Sequence, residues 1–112
     1  MLRSIALFLA AGLAEIGGGW LVWRWLRGSS SVATGVTGLA LLALYGVIAT
    51  FQPASFGRTY AAYGGVFIVL SLLWGWRVDG TRPDTADILG AIVCLAGAAI
   101  IMFAPRVRDV IP

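Results

Sequence analysis

Apolar residues run almost unbroken through four stretches, about residues 4–26, 32–52, 57–77 and 86–104. Each is close to the roughly 20 residues that a helix needs to cross a hydrocarbon core of about 30 Å. The pattern predicts four transmembrane helices. The connections between them are short and rich in turn residues: Arg27-Gly28-Ser29-Ser30-Ser31, Gln52-Pro53-Ala54-Ser55-Phe56 and Asp79-Gly80-Thr81-Arg82-Pro83-Asp84-Thr85. Such short connections make neighbouring helices antiparallel, so the expected fold is an all-α membrane protein, an up-down bundle with both termini on one side. Asp84-x-x-Asp87 predicts a capped start for the fourth helix, with Asp84 or Thr85 accepting from free helix N–H groups. The first stretch opens like a signal peptide, but Glu15 in mid-run and the late Trp23-Arg24-Trp25 argue for a retained span. Residues 1–112 are thus read as a single four-helix transmembrane domain.

Composition agrees with that pattern and narrows the chemistry. Of 112 residues, 60% are hydrophobic and 12% are charged, about half the charged fraction usual for a soluble domain. There is no His, Lys or Asn, and Cys94 is the single cysteine. An intramolecular disulfide and a Cys/His zinc cluster are therefore excluded, and no metal or cofactor is expected. Without His or Lys a nucleophile and its base are hard to assemble, so an enzyme is the least supported class. The net charge is +3, but all eight basic residues are arginines scattered singly. Singly placed arginines flanking apolar spans act as topology determinants and do not form a nucleic-acid patch. Arg3, Arg58, Arg106 and Arg108 fall on the side of the termini, whereas Arg24, Arg27, Arg77 and Arg82 fall on the other. A balance of four against four predicts weakly specified orientation, with insertion both ways round.

One residue conflicts with its surroundings. Glu15 lies 11 residues from either end of the first stretch, about 16 Å at 1.5 Å per residue, at mid-membrane. An acid there costs at least ~2.5 kcal/mol on insertion scales, and such residues usually serve an ion or substrate path. The bland alternative is a protonated Glu15 bonded to a neighbouring helix through Thr34, Thr37, Tyr45 or Tyr63. Helical spacing places Glu15 on a strip of Phe8, Ala11, Gly12, Gly18, Gly19 and Val22, small enough either for close helix packing or for a ligand beside the carboxylate. In the third stretch Phe56, Tyr60, Tyr63, Phe67 and Trp74 follow at intervals of 4, 3, 4 and 7, one aromatic face beside Gly64 and Gly65. That face is suited to packing, and its hydroxyls are also suited to orienting a carboxylate and presenting π faces to a cation. Trp20, Trp23, Trp25, Trp74 and Trp76 gather at one membrane face as an interfacial belt, with Trp20, the deepest, as the exception. Gly90, Cys94 and Gly97 form a small-residue seam for helix association on the fourth stretch.

These residues lead to a family. Leu13-Ala14-Glu15-Ile16-Gly17-Gly18, the run Phe56-Gly57-Arg58-Thr59-Tyr60-Ala61-Ala62-Tyr63-Gly64-Gly65-Val66, the loop Asp79-Gly80-Thr81-Arg82-Pro83-Asp84 and the closing Pro105-Arg106 resemble the YnfA family. That is a set of bacterial inner-membrane proteins in the drug/metabolite transporter superfamily. YnfA-like proteins are in turn similar to small multidrug resistance transporters, four-helix antiparallel homodimers of dual topology that exchange protons for cationic, often aromatic, compounds. The resemblance implies that Glu15 is the essential membrane carboxylate and that Tyr60 is a substrate-pocket tyrosine. It also puts Tyr63 at the position of a pocket tryptophan, Gly65 at the first glycine of a helix 3 kink, and Gly90 with Gly97 in a dimerisation motif. The chain departs from that pattern at Tyr63 and at Phe67, where the second kink glycine would stand, and Tyr45 is displaced along the second helix from the expected pocket tyrosine.

The expectation is a proton-coupled exporter of small cationic or hydrophobic compounds, multi-pass in the bacterial inner membrane. Four helices of this size cannot enclose a pathway alone, so the partners would be the lipid bilayer, protons, substrate and a second copy of the chain. Glu15, Tyr60 and Tyr63 would bind proton and substrate, with Gly12, Gly18, Gly19, Trp20 and Phe67 lining the pocket. A small dual-topology ion channel and a non-transporting membrane partner or assembly protein remain as alternatives.

Overall fold

The structure, a computed structural model, describes residues 2–28 and 31–106. Ser29, Ser30 and Arg108, the last of which enters the arginine balance, lie outside the described residues. Four α-helices follow in order: α1 (Leu2–Arg27), α2 (Val32–Ala49), α3 (Phe56–Arg77) and α4 (Thr85–Phe103). All four are long and apolar enough to cross a membrane.

The helix ends follow local chemistry. Ser31 caps α2 by accepting from Thr34 N, and Ser55 caps α3 by accepting from Arg58 N. Asp84 and Asp87 make a reciprocal capping box at the start of α4, with Asp87 N donating to Asp84 Oδ1 at 2.8 Å and Asp84 N to Asp87 Oδ2 at 3.0 Å. α2 stops at Ala49, earlier than the apolar run that continues to residue 52. Pro53 has no N–H to continue the helix and disfavours helical geometry at Gln52. The chain instead tightens into i to i−3 bonds from Thr50 N, Phe51 N and Gln52 N to Val47 O, Ile48 O and Ala49 O.

The helices pack in the spatial order α2, α1, α3, α4, within Cα extents of 56 × 34 × 20 Å. Small residues decide where they touch. A Cβ at Gly18 would lie 2.7 Å from Gly38 O, and one at Gly38 would lie 2.7 Å from Gly18 O, so α1 and α2 cross backbone to backbone at this pair. A Cβ at Gly65 would lie 2.5 Å from Cys94 O and 2.8 Å from the Ala98 Cβ, which marks the crossing of α3 and α4. The buried core is correspondingly slight: Phe8, Ala11, Ala62, Tyr63 and Ala98. Close backbone approach replaces a thick apolar core because lipid tails give no hydrophobic drive for helices to associate. Large apolar side chains point outward, Val93 being 69% and Ile100 64% exposed, and they form the surface that meets the bilayer.

Candidate functional site

Glu15 is half-buried on α1 and faces α3. Of the four partners that the sequence left open, Tyr63 is the one bonded to it: its hydroxyl donates to Glu15 Oε2 at 2.8 Å. Thr37 donates instead to Ala33 O of its own helix, and Thr34 bonds to Ser31 at the helix cap. Tyr63 is itself only 6% exposed, wedged where α1, α2 and α3 meet. Its ring centroid lies 6.2 Å from Phe8, 5.0 Å from Tyr45 and 5.9 Å from Phe67. Tyr60 lies one turn away, 6.0 Å from Tyr45 and 4.4 Å from Phe56. Tyr45, displaced in the sequence comparison, thus joins the cluster through its place on α2.

Above this aromatic floor a cleft of about 720 Å³ opens toward the C-terminal ends of α1 and α3. Glu15 and Phe67 line its inner part, Trp20, Trp23 and Trp74 its walls, and Asp79 its outer part. Trp20 and Trp74 meet edge to face with centroids 5.8 Å apart, and Trp74 Nε1 is buried with no acceptor among the described residues. Arg24 lies 4.7 Å over the Trp20 ring and Arg27 lies 4.5 Å over the Trp23 ring. These indoles therefore already carry cations on their π faces. Below the floor a void of about 10 Å³ lies between Phe8, Tyr45, Tyr60, Tyr63 and Gln52, room for about one water molecule, and beyond Tyr60 a separate hollow of about 290 Å³ is lined by Gly46, Gln52, Phe56 and Thr59. The cleft therefore reaches the carboxylate from one side, and aromatic rings close it on the other.

Several expected site residues have different surroundings. Gly12 and Gly18, expected to line the pocket, are contact positions: a Cβ at Gly12 would collide with Leu70 Cδ1, and Gly18 meets Gly38. Gly19, with nothing within 4 Å of its Cβ position, does line the cleft, together with Trp20 and Phe67. Gly64 and Gly65 lie inside one uninterrupted helix, where Gly65 serves the approach of α4. On α4 the Cys94 backbone faces Gly65, whereas Gly90 and Gly97 have nothing within 4 Å and look outward. The five tryptophans divide: three line the cleft, the Trp25 ring covers Gly35, and Trp76 is 46% exposed near the α3 end.

Two residues were missed as part of this region. Gln52, read as a turn residue, is 8% exposed, and its Nε2 donates to Ser4 O at 2.9 Å. That bond fixes the amide orientation, because only the nitrogen can donate, and it leaves Oε1 buried without a partner. Gln52, Ser4 and Thr59 are the buried polar side chains among the described residues, all near the closed end of the site. A lone polar residue before Pro53 at the end of an apolar run was the available signal. Asp79, read as loop, was missed because its place in the cleft depends on how α3 ends.

Residues 1–107 match the profile of the family described as "Uncharacterised BCR, YnfA/UPF0060 family". A UPF0060 membrane protein of Halalkalibacterium halodurans is 61% identical over 107 residues, covering 95% of this chain and 99% of the relative. The UPF0060 membrane protein YfjF of Bacillus subtilis is 60% identical over 107 residues, covering 95% and 98%. No solved structure matches significantly.

Proposed function

The chain belongs to the YnfA/UPF0060 family and is a multi-pass bacterial membrane protein, and from that premise we propose that it exports small hydrophobic cations in exchange for protons at Glu15. The observation that carries this reading is a carboxylate in the middle of a span, open to a cleft walled by indoles and held by the Tyr63 hydroxyl at 2.8 Å. A membrane-embedded acid is costly, and it faces a cavity where a pathway uses it. One carboxylate can be neutralised by a proton or by a bound cation, and the two compete. A proton arriving at Glu15 displaces the cation, and a cation arriving releases the proton, so the two fluxes are coupled.

The aromatic floor supports the same reading. Tyr63, which does not itself line the cleft, orients the carboxylate from behind, and Phe67, the ring of that cluster that does line it, presents a π face. A cation removed from water over such a ring gains about 2 kcal/mol. The functional unit in this proposal is a homodimer, since the cleft of one copy is open along its side. Gly90 and Gly97, which look outward from α4, supply a surface for a second copy. The balanced arginines favour two opposed insertions of the same chain, an antiparallel pair with two Glu15 carboxylates near one cavity.

The test is flux in proteoliposomes of the purified protein, loaded with a planar aromatic cation and given a pH gradient. Efflux should scale with the gradient in the wild type and be uncoupled from it in Glu15→Gln, which keeps the size and removes the charge. Gradient-driven flux that persists in Glu15→Gln would refute the mechanism. A wild type with no flux in either gradient direction would leave the non-transporting membrane partner as the better reading.

A further inference from the structure

The Glu15 cleft has a second carboxylate at its outer part. Asp79 lines the same cavity as Glu15, and its position is set by the way α3 ends. Asp79 N donates to Gly75 O at 3.1 Å, and Thr81 N donates to the same oxygen at 3.0 Å. The chain can fold back this tightly because Gly80 takes φ +76°, a left-handed conformation that a side chain would disfavour. The turn thus holds Asp79, exposed to solvent, at the cleft mouth.

The spacing of the two acids follows from the packing of α1 on α3. Gly12 meets both Leu70 and the Tyr63 hydroxyl and Gly17 approaches Trp74, so Glu15, bonded to Tyr63, sits level with the stretch of α3 between Tyr63 and Leu73. Asp79 lies at least six residues farther along, about 9 Å or more at 1.5 Å per residue. A single metal ion cannot bridge that distance. Between the acids the walls are mainly aromatic, with Phe67, Trp74 and Trp20, interrupted by Ser71 and with Arg24 over the Trp20 ring. The cleft, at about 720 Å³, is much larger than one small cation needs and falls in the range of organic-ligand sites.

Building on the cation-binding role of Glu15, we propose that the cleft takes an elongated organic bis-cation, with one positive centre on Glu15, an apolar linker along the indoles and the second centre on Asp79. The inner charge sits in a poorly hydrated place and supplies most of the affinity. The outer charge is exposed and adds a smaller, salt-sensitive increment, so Asp79 acts on selectivity between ligands more than on binding as such.

Binding can be read from the intrinsic fluorescence of the cleft tryptophans in the full chain, reconstituted in nanodiscs. The probes are α,ω-bis(trimethylammonium)alkanes with four to twelve methylenes, each compared with the ω-hydroxyalkyl-trimethylammonium of the same chain length. In the wild type the bis-cation of intermediate length should bind about fivefold tighter than its mono-cationic counterpart, the size of a half-exposed ion pair. Asp79→Asn keeps the side-chain size and should bring that ratio to one while leaving the mono-cation affinity unchanged. Glu15→Gln should weaken both probes by about tenfold or more, as loss of a charge-assisted contact does. A wild-type ratio of one at every spacer, or a ratio that survives in Asp79→Asn, overturns the proposal even if Glu15→Gln weakens both probes. If Glu15→Gln leaves both affinities unchanged, the cation-binding reading of Glu15 falls first and the two-centre site falls with it.

Discussion

Gly18 and Gly19 are adjacent on α1 and have opposite surroundings, so the same substitution at each isolates one helix contact. A Cβ at Gly18 would lie 2.7 Å from Gly38 O, 3.0 Å from Leu41 Cβ and 3.0 Å from Leu42 N, and backbone cannot rotate away as a side-chain tip can. At Gly19 nothing lies within 4 Å. Overpacking of this kind costs about 1–3 kcal/mol. Replacing glycine by alanine inside a helix returns about 1 kcal/mol at either site. Gly18→Ala should therefore be neutral to about 2 kcal/mol less stable than wild type, and Gly19→Ala about 1 kcal/mol more stable. The propensity gain cancels between the two variants, so their difference, about 1–3 kcal/mol, measures the α1–α2 contact alone. Unfolding in mixed micelles with rising denaturing-detergent fraction, followed by far-UV circular dichroism, gives the comparison directly. Gly19→Ala should also retain cation binding, because a methyl group fills little of the cleft. Equal stability of the two variants, or a weaker Gly19→Ala, would refute the backbone crossing at Gly18 and Gly38 and with it the rotation of α1 that aims Glu15 at α3.

Two further outcomes follow from the site. Tyr63→Ala should weaken binding of an aromatic cation by about tenfold, roughly 1.4 kcal/mol, because the hydroxyl that orients Glu15 and the ring that backs it are both lost. Tyr63→Phe separates ring from hydroxyl: equal weakening in both variants would assign the effect to the hydrogen bond on Glu15, and unchanged affinity in the folded fraction of Tyr63→Ala would remove Tyr63 from the site. Gln52→Leu deletes one hydrogen bond worth about 1 kcal/mol together with an unpaired buried oxygen that costs about 1–3 kcal/mol, so this variant should be at least as stable as wild type. A clear loss of stability in the same micelle assay would mean that Oε1 has a partner in the membrane.

Much of this protein follows from residue order alone. Four apolar runs of membrane length, short polar connections and the Asp84–Asp87 box define the helices and the start of α4, because hydrophobic length and capping are local properties; Ser31 and Ser55, read only as turn residues, are caps in the structure. Glu15 stands out for the same reason, as a charge that no neighbour in its own helix explains, and the residues around it with the run from Phe56 to Val66 carry the family membership. What residue order does not contain is the rotation of each helix about its axis. In a soluble protein an apolar stripe marks the inner face, but these helices are apolar all round, and the difference between lipid and protein leaves little trace in hydropathy. Close packing at Gly18 with Gly38, and at Gly65 with Cys94 and Ala98, sets those rotations. They decide that Tyr63 and not Thr34 or Thr37 meets Glu15, and that Gly12 serves contact while Gly19 serves the cleft. They also bring Tyr45 into the aromatic floor despite its displacement along the chain. The positions of Gln52 and Asp79 depend on non-local geometry as well. Each lies where a helix ends, and only the packing of the neighbouring helix turns such an end into the wall of a cavity.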